Sequence, residues 1–197
     1  LGNWAGYLGF FERPAAHGPF VGVYDEAQDA GVVRVFPAEV VRGSKVFGLG
    51  FHAALDPAYY TADSSTYVEL HGGIAPTFAD QVALGPGETI RWEESWYPVA
   101  GIGSLRTADA NGALTWTREA GDKLRVGFYP TQAMRGTLVV QSDERELARL
   151  PITASPSEPW VEQVRLEPAL ATRSSLTLLI ENAAGTPFLV ADEAKLR

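Results

Sequence analysis

Apolar and polar residues alternate at every second position over much of this chain, the period of a strand with one buried face. Leu124, Val126 and Phe128 set against Arg125, Gly127 and Tyr129 are the clearest case. In the first half the pattern predicts strands over 4–11, 20–24, 32–36, 45–51, 67–71 and 88–99. In the second half it predicts them over 113–118, 123–130, 136–141, 147–153, 161–166, 175–180 and 188–191. Turn residues separate them: Gly43-Ser44, Gly121-Asp122, Ser142-Asp143-Glu144, Pro156 to Pro159 and Ala184-Gly185. No stretch of the first half carries a helical period. Short strands with closely spaced turns predict an all-β sandwich class.

The texture changes at Ala100 to Gly103. Aromatics thin out beyond it and the strands become more regular. Two domains are expected, 1–103 and 104–197. About seven short strands in the second fit an immunoglobulin-like β-sandwich.

Composition narrows the function. Hydrophobic content of 46% and charged content of 20% describe a globular chain and exclude a disordered one. A net charge of −8 with no basic patch argues against nucleic acid as a partner, because no surface is set to neutralise phosphates. A neutral or cationic ligand is easier to accommodate. With no Cys there is no disulfide framework, thiol nucleophile or cysteine metal site. No apolar run approaches the roughly 18–20 residues that span a bilayer, so no membrane partner is expected. The chain opens on Leu1, not Met, and is expected to be a piece of a longer protein.

The candidate chemistry lies around Tyr67-Val68-Glu69-Leu70-His71. On a strand Tyr67, Glu69 and His71 form one row, with Val68 and Leu70 facing away. An aromatic, a carboxylate and an imidazole in one row suit a sugar pocket. A solvated sheet face, with Glu69 paired to a cation across the sheet, has the same composition. Glu69 can accept hydrogen bonds from two neighbouring sugar hydroxyls, since a carboxylate has about four lone-pair sites. His71 reads as a general acid, a hydrogen-bond partner or a surface residue before Gly72-Gly73. His52 follows Phe51 at a strand end, near the same pocket or simply as a satisfied polar residue. His17 falls in a Gly/Pro loop. Trp92 and Trp96, on the same strand face as Glu94, read either as stacking surfaces for a pyranose ring or as core, as do Tyr59, Tyr60 and Trp4. Glu69 and His71 with His52 or Asp56 have no recognised metal spacing, and no metal or other cofactor is expected. Gly101-Ile102-Gly103 lacks the third glycine and the helix of a phosphate loop.

The order of Glu69, a polar loop with Pro76 and Phe78, then Leu84-Gly85-Pro86-Gly87-Glu88 and an aromatic strand resembles the C-terminal end of aldose 1-epimerases (galactose mutarotases). The longer pattern, with Tyr67-Val68-Glu69-Leu70 and Trp96-Tyr97-Pro98-Val99-Ala100-Gly101-Ile102-Gly103, resembles an uncharacterised bacterial family with a mutarotase-like sandwich. The resemblance covers about residues 1–103. It implies that the first domain is the C-terminal part of such a sandwich and that Glu69 holds the position of the catalytic base. His52 and His71 do not sit where that family has its histidines, so the acid would come from a segment outside this chain. The function implied is a carbohydrate-binding module of a larger bacterial protein, with Glu69, His71, Tyr67, His52, Trp92 and Trp96 as its ligand residues. The alternatives are a sugar epimerase or other sugar-active enzyme completed by a missing N-terminal segment, and a structural or protein-docking module. A partial sandwich leaves strand edges and an apolar face uncovered, so the first domain is expected to pack on the second or on a second copy, as a homodimer.

Overall fold

A computed structural model of the chain describes residues 8–11, 19–49, 56–120, 122–143, 145–166 and 175–196. These residues form antiparallel β-sheets, two short 3-10 turns and no α-helix. The strands are β1 (Leu8–Phe11), β2 (Phe20–Asp25), β3 (Ala30–Val35), β4 (Lys45–Leu49), β5 (Tyr67–His71), β6 (Ser95–Ala100) and β7 (Thr107–Asp109). They continue as β8 (Gly112–Glu119), β9 (Lys123–Pro130), β10 (Met134–Ser142), β11 (Arg145–Ala154), β12 (Trp160–Arg165), β13 (Thr177–Asn182) and β14 (Pro187–Asp192). The all-β expectation holds, and β9 has the bounds its alternation gave. Most other strands shift by one or two residues at their ends, and two elements differ by more. The expected strand over 88–99 begins only at Ser95, and the three-residue β7 was not foreseen.

The chain groups into two compact units, residues 1–21 with 36–94 and residues 22–35 with 95–197. A cut in sequence after residue 103 does not follow this grouping, because β3 pairs with β6 along its whole length, from Ala30↔Ala100 to Val35↔Ser95. That ladder ties residues 30–35 and 95–100 into one sheet.

The first unit contains the sheet β1-β4-β5. Its small core is Val21, Phe36 and Val41, with Ala38, Val46 and Leu70 packed against them. Val46 and Leu70 are direct register partners on β4 and β5, so the face they share is the buried one. After β5 the segment 72–94 forms no strand. It holds a type II turn in which Glu88 N donates to Gly85 O at 3.0 Å. Pro86 presets the first central position, and Gly87, at φ 81°, takes the left-handed second one. The Glu88 carboxylate reaches back to Gly85 N at 2.6 Å and closes the turn a second time.

The second unit is a sandwich with a third layer. One sheet runs β12-β9-β8-β7 and the other β11-β10-β13-β14. Alternate residues of both sheets meet in one core, including Leu114, Trp116, Val126, Phe128, Leu138, Val140, Leu178 and Ile180. The outer face of β9 is covered by the chain leaving β6. Ile102 is fully buried there, beside Gly127. A Cβ at Gly127 would stand 2.8 Å from the Ile102 carbonyl oxygen and 2.9 Å from its Cβ, so only glycine admits this approach. Arg125 Nη1 donates to the same carbonyl at 3.1 Å. The Tyr24 hydroxyl accepts from Ile102 N at 3.2 Å and Gly103 N at 3.1 Å, while donating to Asp29 at 2.5 Å. Tyr97 of β6 lies parallel to Tyr129 of β9, ring centres 6.5 Å apart. The sheet β2-β3-β6 is thereby laid against the sandwich.

Ile102→Ala is expected to lower stability by about 2–5 kcal/mol, the cost of emptying a buried aliphatic site. Gly127→Val is expected to be as damaging, by forcing the 101–103 strip off β9. Urea unfolding of the intact chain measures both. A loss within the roughly 0.5 kcal/mol of a surface substitution would show that the strip is not seated there in solution.

Candidate functional site

Strand β5 is two-faced. Leu70 enters the small core, and that commits Tyr67, Glu69 and His71 to the opposite face. Register places Lys45 opposite His71 and Phe47 opposite Glu69 on the same face of β4. Glu69 is held at both oxygens. Tyr67 Oη donates to Oε1 at 2.8 Å, and His71 Nε2 lies 2.5 Å from Oε2. The row remains within reach of solvent, with the His71 and Glu69 side chains 42% and 38% exposed.

The two bonds act on the charges. His71, then Tyr67, hold the Glu69 carboxyl below the usual glutamate range by stabilising its ionised form. In return, donation to the carboxylate pushes the Tyr67 hydroxyl up.

Lys45 is buried, its Nζ donating to Gly43 O at 2.8 Å and Ala75 O at 3.5 Å. The same Nζ lies 5.1 Å from the centre of the Phe78 ring. Phe78 stacks on Phe47, and Phe47 meets the His71 ring edge-on, each with centres 5.4 Å apart. The face therefore carries an ionised carboxylate with lone pairs to spare, an imidazole on it, and an aromatic wall beside it. Among the described residues no group of His, Asp and Glu is placed to hold a metal ion. Asp56 instead accepts from Ala58 N at 2.9 Å and starts the 3-10 turn Pro57–Tyr59.

Of the residues picked from sequence, Tyr67, Glu69 and His71 come together. His52, Trp4 and His17 lie outside the described residues. Trp92 and Trp96 do not share a strand face. Trp92 is in the segment before β6, its Nε1 donating to Glu94 at 2.9 Å. Ile90 and Trp92 keep a strand-like alternation but stand in no ladder, and both are exposed. Trp96 is on β6 in the second unit, exposed, with the Arg34 guanidinium 5.7 Å from its ring centre. Tyr59 and Tyr60 are exposed, and the Tyr60 ring lies 6.4 Å from that of Tyr67. Lys45, Phe47 and Phe78 join the site without a signal in the sequence around them. Period 2 puts Lys45 and Phe47 in one row of β4, but only the register with β5 brings that row to Glu69.

Comparison with known families adds one match. Residues 107–191 are similar to the YphG-like protein family, second domain. This YphG-like segment runs from β7 to β14, the two-sheet sandwich of the second unit, and includes none of Tyr67, Glu69, His71, Trp92 or Trp96. No curated protein and no solved structure matches the chain.

The Glu69 carboxyl is expected to titrate below the ordinary value of about 4.3, and His71→Ala is expected to move its midpoint upward. A depressed folded value means that the row supports the fold above the unfolded midpoint and loses that support as pH falls through the folded one. Carbon-detected NMR titration of the Glu69 carboxyl reads both. A midpoint at or above the ordinary value would mean that the row does not form in solution.

Proposed function

We propose that the sheet β1-β4-β5 carries a carbohydrate-binding face with Glu69 as its hydroxyl anchor. The observation that carries this reading is the row in which Tyr67 and His71 hold one Glu69 oxygen each. A carboxylate so held keeps about two lone-pair sites free and loses little side-chain entropy on accepting two neighbouring hydroxyls. In this reading the first part of the chain is the C-terminal part of a mutarotase-like sandwich. The YphG-like segment is an immunoglobulin-like sandwich. Its strand order supports that: β14-β13-β10-β11 follows the order G-F-C-C′ of such domains, beside β8-β9-β12 as A-B-E.

One observation favours a second reading, proton transfer at an anomeric centre. His71 Nε2 on Glu69 Oε2 is a contact through which a proton can pass between base and imidazole. Glu69 would then act as the base.

Ligand-observed NMR against monosaccharides and small oligosaccharides tests both on the intact chain. Wild type is expected to bind, and Glu69→Gln to lose binding by roughly tenfold or more, as for a hydrogen bond to a charged group. Accelerated exchange between anomers in the same spectra would favour the second reading. A wild-type protein that binds no sugar ends the carbohydrate reading for this chain.

A further inference from the structure

Phe78 is 67% exposed, yet it is held on several sides. Its own turn is fixed by Asp80, which accepts from Thr77 N at 2.9 Å and from Thr77 Oγ1 at 2.7 Å. Ala79 N donates to Thr77 Oγ1 at 3.2 Å. Phe47 supports the ring from below, at an interplanar angle of 27°, and the Lys45 ammonium sits against it. An apolar ring presented to water in a fixed pose costs hydration free energy without gaining burial. A ligand that covers it would recover that cost.

We infer that Phe78 is the stacking platform of the Glu69 face, and that the ligand class is a neutral pyranoside with a bare C–H face. This rests on the carbohydrate reading above. Phe47 is the register partner of Glu69, one strand spacing or roughly 4.8 Å across the sheet, and Phe78 stacks on Phe47 with ring centres 5.4 Å apart, so platform and anchor are joined through Phe47. A sugar ring lying on Phe78 turns its equatorial hydroxyls toward the Glu69 oxygens. The C–H face meets the aromatic face, and the hydroxyl edge meets the carboxylate. An anionic sugar is disfavoured: ionised Glu69 repels a uronate, and the Lys45 ammonium, though still charged, is buried and bonded to the Gly43 and Ala75 carbonyls.

Saturation-transfer NMR on the intact chain, with methyl β-glucopyranoside, methyl β-galactopyranoside and glucuronate as probes, tests this in four variants. Phe78→Ala and Phe78→Leu are expected to weaken pyranoside binding roughly tenfold, and Phe78→Tyr to keep it. Leu keeps an apolar contact on Phe47, so its loss of binding with an unchanged melting curve is a loss of stacking and not of folding. If Phe78→Ala fails to fold, the Leu and Tyr variants carry the comparison. Phe78→Leu binding like wild type, while Glu69→Gln does not bind, would remove the platform and leave the anchor standing. Wild type binding no pyranoside would remove both. Glucuronate binding as well as the neutral probes would overturn the ligand class.

Discussion

A second stretch of backbone can lie close against the outside of a strand only where the strand offers a residue without a Cβ. Gly127 gives Ile102 that seat on β9. The arrangement of the second unit depends on it. With Ile102 seated, Gly101 and Gly103 lead the chain across the sheet, Tyr24 and Asp29 take the freed backbone donors, and β2-β3-β6 is held as a third layer. A larger residue at 127 would lift the strip and leave the outer face of a β-sandwich sheet open to water. The aromatic pair Tyr97–Tyr129 and the Arg125 bond to the Ile102 carbonyl are placed by the same approach.

In the first unit one strand does two jobs. Leu70 and its partner Val46 bury one face of β5, and this alone turns Glu69 outward. The neighbours then decide what Glu69 can do. Two hydrogen bonds keep it ionised and still, and Phe47, its partner on β4, meets His71 edge-on and stacks with Phe78. A slip of one residue in the register of β5 would send the carboxylate into the core and Leu70 into water. The site and the core are thus specified by the same alternation.

That alternation was legible in the sequence, and with it nearly every strand. β9, β5 and the turns after Gly121, Ser142 and Ala184 stand where side-chain period and turn chemistry put them. The row Tyr67, Glu69, His71 was legible for the same reason. Where a strand ends for want of a partner was not. Ile90 and Trp92 alternate as strand residues do, but pairing is a property of a second segment that local period does not report. β7, three residues long, is too short to show a period. The role of Gly101-Ile102-Gly103 depends on Gly127, a contact between distant positions, so from sequence the strip reads only as punctuation. Phe78 is a loop residue until the register of β4 on β5 sets Phe47 beneath it.

The chain leaves the second unit at Val35 and returns at Ser95, and these two residues are direct partners in the β3–β6 ladder. During synthesis β3 must wait for the whole of 36–94 to emerge before it can find β6. Closing so long a loop is slow, and until then β3 has an unpaired edge. Once the ladder forms, the cost of lengthening the excursion grows only with the logarithm of its length. Residues 36–94 can therefore gain or lose segments at little cost to the ladder that brackets them.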